Sequence, residues 1–379
     1  MKSRQTLSTI VLNFGFSLTG AGVVMLGVLL PVLSQRWSLS DASAGTLLFL
    51  QFLGSALGAV FTGLNRVRAL AIGYALVAVS TAAMSFATAR APFTAFFFYG
   101  LGLGMAMTAT SLLITDRSGN QSAARLEALN FIWSVGATSG PILFLPFLHN
   151  ADLRGLFLLL VGLSLPFLAW VLLAERHEPP ARGNQPQAAA PGARGILLAL
   201  VILAMCSVGV EAALSGWLTT YSQRAGLHSL AGSALATSLF WFGEMLSRLA
   251  FSTRLLAKMG RRATLRATVC GVLITTAALV TAPYPWAILV VAALAGISVG
   301  PLYPLLLSFM LEHSARGWIF AVGGLGAAVF PWLTGLLSSH FDSLRFGLAA
   351  PCAAALIMTL VQFAAVQRSE PQAKIPAHS

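Results

Sequence analysis

Residues 154–174 read RGLFLLLVGLSLPFLAWVLLA, in which twenty uncharged residues follow Arg154 before the charged pair Glu175-Arg176. A helix of roughly 20 apolar residues crosses the hydrocarbon core of a bilayer, so this stretch predicts a transmembrane helix. Comparable runs recur along the chain and are separated by short polar breaks. They predict twelve helices, near residues 8–33, 42–64, 69–88, 92–116, 123–148, 154–174, 195–222, 230–256, 263–282, 285–311, 317–338 and 344–367.

The composition agrees with a chain surrounded by lipid. Hydrophobic residues make up 57% of the 379 residues and charged residues 9%, whereas roughly a quarter of a soluble domain is charged. The three cysteines fall inside predicted helices without a metal-binding spacing, and the sequence has no Gly-x4-Gly-Lys-Ser/Thr nucleotide loop. We therefore expect an all-α membrane protein of twelve transmembrane helices, without a metal or other cofactor.

The net charge of +12 could indicate a nucleic-acid partner, but the basic residues are sorted by loop. Of the 23 Lys and Arg residues, Arg248 lies inside a predicted helix and seventeen lie on the side of the N-terminus. The other five lie on the opposite side, and they are Arg36, Arg90, Arg154, Arg224 and Arg345. By the positive-inside rule both termini are cytoplasmic. We expect a multi-pass protein of the cell membrane, in a bacterial inner membrane, with no nucleic-acid partner.

The two halves of the chain repeat each other. Gly100-Leu-Gly-Leu-Gly104 matches Gly296-Ile-Ser-Val-Gly300, and Ile132-Trp-Ser-Val-Gly136 matches Ile319-Phe-Ala-Val-Gly323 further along. Between the halves lies a segment rich in Pro, Gly, Gln and Ala, which is typical of a flexible linker. We therefore expect a six-helix bundle at 1–174, a cytoplasmic linker at 175–194, and a second six-helix bundle with a short cytoplasmic tail at 195–379.

Several segments are similar to one family of transporters. They are a degraded loop motif, Gly63-Leu-Asn-Arg66-Val-Arg68, with a better copy at Lys258-Met-Gly260-Arg261-Arg262; Glu127-Ala-Leu-Asn130 with Gly136 and Gly140-Pro141; Glu211-x4-Gly216-Trp217-x3-Tyr221; and Gly300-Pro-Leu-Tyr-Pro304. Through these segments the chain resembles the major facilitator superfamily, and within it the fucose permease-like sugar transporters. The resemblance implies two pseudo-symmetric six-helix halves around a central solute site. It also implies secondary transport of a small polar solute, most simply a monosaccharide, by alternating access.

The resemblance breaks down at two positions. Fucose permease couples transport to protons through carboxylates in its first and fourth helices, and a rough alignment places Gly27 and Met107 there. Glu211 supplies a different carboxylate, in the seventh helix, for solute hydrogen bonding or cation coupling, with a structural hydrogen bond as the alternative. Coupling to protons, coupling to sodium and uniport all stay open.

The solute site is expected among polar and aromatic side chains within the helices, because a sugar needs hydrogen-bonding groups and aromatic faces. The candidates for solute binding are Asn130, which is favoured, with Trp133, Glu211, Trp217, Tyr303, Thr108, Ser111, Gln51 and Trp241. For Trp217 and Tyr303, anchoring at the membrane interface is an equal alternative. The candidates for coupling or gating are Glu211, Glu244, Arg248, Asp116, Arg125 and Glu127. Glu244 and Arg248 are four residues apart on one helix face, so they can also form a purely structural ion pair.

Other functions are weaker readings of the sequence. Efflux of a drug-like or other small metabolite is the main alternative, and it would favour an apolar pocket with few polar groups. A membrane-embedded enzyme would need a cluster of catalytic groups at one membrane face, and a channel would need a filter-like loop. The expected partners are the solute, a proton or sodium ion, and the bilayer, and we expect the protein to act as a monomer.

Overall fold

The computed structural model of the chain describes residues 2–62, 65–86, 91–118, 122–149, 152–174, 194–250, 256–313 and 318–366. Within these residues the chain is helical and forms no strand. The helices are α1 (Lys2–Trp37), α2 (Asp41–Phe61), α3 (Arg66–Ser85), α4 (Ala91–Ser118), α5 (Ser122–His149), α6 (Leu153–Ala174), α7 (Arg194–Arg224), α8 (Leu230–Ala250), α9 (Leu256–Met259), α10 (Arg261–Thr281), α11 (Pro285–Val299), α12 (Leu302–His313), α13 (Trp318–His340), α14 (Leu344–Gly347) and α15 (Ala349–Val361), with a π-helical turn at Gln362–Val366. The predicted linker lies outside the described residues except for Arg194, where α7 begins, and so does most of the predicted tail.

Eleven segments of the described chain are long and apolar enough to cross a membrane, and each coincides with a predicted span. The predicted span that falls short is α8, which carries Glu244 and Arg248 and buries Ser233, Thr237 and Ser238. Because α8 packs against α5, α7 and α11, its polar face meets protein rather than lipid. The all-α membrane fold predicted from the sequence is confirmed.

Two predicted spans are less regular than the hydropathy suggested. The span predicted at 285–311 is divided into α11 and α12 at Gly300-Pro301, because Pro301 has no N–H to continue the helical hydrogen bonds. The span predicted at 344–367 is divided into α14 and α15, and Pro351 in the first turn of α15 likewise cannot donate to Gly347. Hydropathy is insensitive to such breaks because the residues around them are apolar.

Glycines set the closest helix contacts. α2 packs on α4 where a Cβ added to Gly54 would lie 2.9 Å from the backbone N of Leu101, and one added to Gly58 would lie 2.9 Å from that of Met105. In lipid, helices associate by such close packing rather than by transfer of apolar surface from water. The spacing of these glycines therefore serves backbone contact between α2 and α4.

Three helix pairs join the first six helices to the later ones: α1 with α7, α2 with α13, and α5 with α8. We call the surface formed by these three pairs the seam. We call the end of the bundle where α1 begins the amino end, and the end where α1 finishes the distal end. The seam is where the two predicted six-helix bundles would meet.

We predict that Gly58→Ala lowers the thermal unfolding temperature of the purified protein. The added methyl would press against the α4 backbone, and overpacking of this kind costs about 1–3 kcal/mol. Gly162→Ala in α6 is the matched control, since nothing lies within 4 Å of a Cβ added there. Equal unfolding temperatures for the two variants would contradict the packing argument.

Candidate functional site

The distal end of the seam is tied by a group of four residues that we call the latch: Asp41, Arg224, Ser338 and Ser339. The Arg224 guanidinium donates two hydrogen bonds of 2.7 Å to the Asp41 carboxylate, joining the end of α7 to the start of α2. The Ser338 hydroxyl donates to the same carboxylate at 2.5 Å, and the backbone N–H of Ala42 donates to Ser339 Oγ at 2.7 Å. The latch therefore closes α2, α7 and α13 together at this end.

The middle of the seam is tightly packed at Gly27. A Cβ added to Gly27 would lie 2.6 Å from the carbonyl oxygen of Ser215 and 2.9 Å from the Cα of Gly216. In this conformation α1 and α7 leave no space for a side chain at this position. Met107, at the second such position, packs against the apolar core.

A group of ionisable side chains lies beside this contact, and we call Glu211, Glu244, Arg248 and Tyr303 the polar cluster. Glu244 is completely buried and forms an ion pair with Arg248, one helical turn away on α8. Glu211 on α7 is close enough to interact electrostatically with both residues, and Tyr303 on α12 interacts with Glu211. The polar cluster thus places two carboxyl groups near one guanidinium, with the Glu244 carboxylate in direct contact with it.

Arg248 also connects the polar cluster to the opposite side of the seam. Its Nη1 donates to Ser134 Oγ on α5 at 3.2 Å. Its Nε donates to the carbonyl oxygen of Gly300 at 3.4 Å, at the break between α11 and α12. One guanidinium therefore touches α5, its own helix and the break in the tenth span.

A cavity of about 670 Å³ adjoins Arg248 and extends toward the amino end. Pockets of roughly 300–1,000 Å³ hold small organic ligands. Its polar lining comes from Glu127 and Asn130 on α5, Arg248 on α8, Arg261 and Thr264 on α10 and Ser308 on α12. The rest of the lining is mainly apolar and includes Ala128, Phe131, Ile132, Leu249, Pro301, Pro304 and Leu305. The favoured candidate, Asn130, is exposed to this space.

Two predicted aromatic candidates meet across the seam. The rings of Trp133 on α5 and Trp241 on α8 contact edge to face, with centroids 5.1 Å apart. Trp241 donates its indole N–H to Ser215 Oγ at 3.1 Å. The indole N–H of Trp133 is buried without a hydrogen-bond partner among the described residues, and neither tryptophan lines the cavity.

Other candidates occupy helix contacts instead. Trp217 is fully buried and donates its indole N–H to the carbonyl oxygen of Pro331 at 2.9 Å, where α7 meets α13. Gln51 is buried and donates its side-chain amide to the carbonyl oxygen of Val23 at 3.0 Å, where α2 meets α1. Among the described residues neither one lines the cavity. Thr108 and Ser111 lie partly buried on α4, where Ser111 donates to the carbonyl oxygen of its own helix at Met107.

One of the charged candidates at the amino end has a partner within the first six helices. Asp116 at the end of α4 forms an ion pair with Arg66, the first residue of α3. Arg125 and Glu127 are exposed at the start of α5, and Glu127 lines the cavity. Sequence reasoning missed the partner of Asp116, although Arg66 belongs to the degraded loop motif. It also missed the latch. The only sequence signal for the latch was that Asp41 and Arg224 lie at the distal ends of predicted helices.

The structure thus defines a class of protein. A polar site within the membrane, placed where two groups of helices meet, is the arrangement of a secondary transporter. The family comparison agrees, because residues 12–317 match the family described as the Major Facilitator Superfamily. The chain belongs to the major facilitator superfamily, and it is a multi-pass membrane transporter, not an enzyme. The matching description names no subgroup.

Solved structures of transporters share this fold. A POT family transporter in complex with a thioalcohol conjugated peptide aligns with a TM-score of 0.79 and 13% identity, over 96% of this chain and 97% of that one. A D-xylose-proton symporter aligns with a TM-score of 0.72 and 15% identity, over 92% and 96% of the two chains. The nucleoside transporter NupG, in a mutant form, aligns with a TM-score of 0.72 and 13% identity, over 96% and 100%. A search of curated proteins gives no match.

We predict that Asp41→Asn loosens the distal end of the seam. An ion pair of this exposure contributes about 1 kcal/mol, since the Arg224 side chain is 47% exposed, and its loss shifts a two-state equilibrium about fivefold. The measurement is the alkylation rate of a cysteine introduced at Leu48, which lies on α2 on the amino-end side of the latch. The protein used for it lacks the three native cysteines. The double variant Asp41→Arg with Arg224→Asp should return the rate toward that of the parent. Unchanged labelling in Asp41→Asn would show that the latch does not hold the seam.

Proposed function

We propose that the protein moves a small polar solute, in the first instance a monosaccharide, across the membrane by alternating access. The observation that carries the proposal is the cavity between α5 and α8, α10 and α12, which is bordered by the polar cluster. In this proposal the segments 1–174 and 195–379 are two six-helix bundles that rock about the seam, joined by the linker 175–194. Glu211 is proposed to take part in cation coupling.

The lining chemistry supports a hydroxylated solute. Asn130 offers an amide and Ser308 a hydroxyl oxygen in the lining of the cavity. The amide can both donate and accept hydrogen bonds, whereas the Ser308 hydroxyl already donates to the carbonyl oxygen of Leu305 at 2.7 Å and can only accept. The resemblance to fucose permease-like transporters and the fold shared with a D-xylose-proton symporter support the same solute class.

The charge of the loops supports an orientation. If both termini are cytoplasmic, as the positive-inside rule predicts, the amino end faces the cytoplasm and the latch closes the opposite side. The cavity then faces inward, so the conformation described is an inward-facing state. A bacterial inner membrane fits this orientation.

Efflux of a drug-like molecule is the second candidate function. It is favoured by the apolar share of the cavity lining, which includes Phe131, Ile132, Leu249 and Leu305. Apolar walls with a few polar groups are typical of sites for drug-sized ligands. The two functions differ in whether the polar groups or the apolar walls carry the binding energy.

We predict that purified protein in liposomes accelerates the uptake of a labelled hexose and that Asn130→Ala reduces this uptake at least fivefold. A lost hydrogen bond that leaves a buried polar group unpaired costs about 1–3 kcal/mol, which corresponds to a factor of about five or more. Val135→Ala is the control, because Val135 lies on the same helix and is exposed outside the cavity lining.

Two results would contradict the sugar proposal. One is the absence of flux above that of empty liposomes for a broad panel of sugars. The other is equal uptake by Asn130→Ala and the parent. Extrusion of lipophilic cations by the same liposomes, without sugar flux, would favour the efflux function instead.

A further inference from the structure

We infer that Glu211, Glu244 and Arg248 together hold one exchangeable proton, and that Arg248 transmits its presence to the seam. This inference rests on the proposed transport function, because it assigns the coupling ion and the residues that carry it. The residues that couple transport to the proton would then lie on α7 and α8, and not on the first and fourth helices.

The charge of the group supports a single proton. Two ionised carboxylates around one guanidinium leave one negative charge without compensation, and such a charge is costly inside a membrane protein. One proton on either carboxyl makes the group neutral, with the remaining carboxylate paired to Arg248. The proton is shared because Glu211 and Glu244 interact with each other as well as with Arg248.

The surrounding helices supply no second cation to the group among the described residues. α11, which packs against α8, has no ionisable side chain. From α12 the group is faced by the Tyr303 phenol. On α5 the charged side chains are those of Glu127, which lines the cavity toward its amino end, and of Arg125, which is exposed. Arg261 on α10 is hydrogen-bonded to Ser308 Oγ at 2.8 Å and stacked over the ring of Phe309.

A route for the proton is visible. Glu244 is completely buried, whereas the Arg248 side chain beside it is 20% exposed and lines the cavity. Water in the cavity can therefore deliver or accept a proton next to Arg248. The proton would leave to that water, and the carboxyl that gave it up would become a second acceptor for the guanidinium.

The contacts of Arg248 supply the link to transport. In this structure its Nη1 reaches across the seam to Ser134, and its Nε reaches the Gly300 carbonyl at the helix break. With the proton bound, one carboxylate holds Arg248 and these contacts persist. With the proton released, two carboxylates draw the guanidinium toward α7 and weaken the bond to Ser134. Proton release would thus loosen α5 from α8.

The test is pH-difference infrared spectroscopy of the purified protein in lipid nanodiscs without solute. The parent should show the band of a protonated carboxyl that disappears on alkalinisation. Glu211→Gln and Glu244→Gln should each lose this band completely, although each keeps one of the two acids, because one carboxylate and one guanidinium need no proton. Asp152→Asn, an exposed acid at the start of α6, is the matched control and should keep it. Persistence of the band in either glutamine variant would overturn the shared proton.

A second readout tests the link to the seam. A cysteine placed at Phe131, on the α5 wall of the cavity, should change its alkylation rate with pH in the parent and in Asp152→Asn, but not in Glu211→Gln. If Glu244→Gln does not fold, Glu211→Gln carries both measurements. A pH-dependent rate that persists in Glu211→Gln would overturn the role of the group.

The spectroscopic result is independent of hexose uptake, so the two proposals can fail separately. If hexose is taken up but the band persists in a glutamine variant, only the proposed proton site is refuted. If the band is lost as expected but no sugar is taken up, only the proposed solute is refuted.

Discussion

The burial of charge determines how the later helices are arranged around the seam. Lipid cannot hydrate Glu244 or Arg248, and a charged side chain at the bilayer centre costs roughly 3 kcal/mol or more, so both must face protein. Glu244 is completely buried against Arg248, and Arg248 in turn reaches Ser134 and the Gly300 carbonyl. These contacts are available only if α8 lies between α5 and α11. The central contact of the seam therefore follows from one ion pair and the partners it requires.

Two kinds of contact hold the bundle, and they differ in what separation would cost. Backbone contacts at glycines, such as those of Gly54 and Gly58 of α2 with α4, depend on dispersion between closely packed atoms, and a small displacement forfeits much of it. The latch is different, because the half-exposed Arg224 can be hydrated when it leaves Asp41. The glycine contacts therefore favour movement of α2 and α4 as one body, whereas the latch can separate at a lower cost. This division of contacts suits a transporter whose two groups of helices change their relative positions.

Much of the fold could be predicted from the sequence, because a backbone in lipid must satisfy its own hydrogen bonds and so forms long apolar helices. The pairing of Glu244 with Arg248 was also accessible, since their spacing places them on one face of a helix. The bond between Asp41 and Arg224 was not, because it joins residues from distant parts of the chain whose approach depends on the packing of α2, α7 and α13. The hydrogen-bond partners of Trp217 and Gln51 could not be predicted from the sequence either. An indole or amide inside the membrane can bind a solute or a backbone carbonyl, and only the geometry shows that here each one donates to a carbonyl.

The absence of a side chain at Gly27 affects the packing of α1 against α7. A carboxylate at this position would hold α1 away from α7, whereas glycine allows α1 to approach the backbone of Ser215. The hydroxyl of Ser215 then accepts the indole N–H of Trp241, whose ring meets the edge of Trp133 across the seam. Glycine at this position thus permits the packing that orients the tryptophan pair. The buried acids lie on other helices, and Glu211 and Glu244 lie where Arg248 can compensate them.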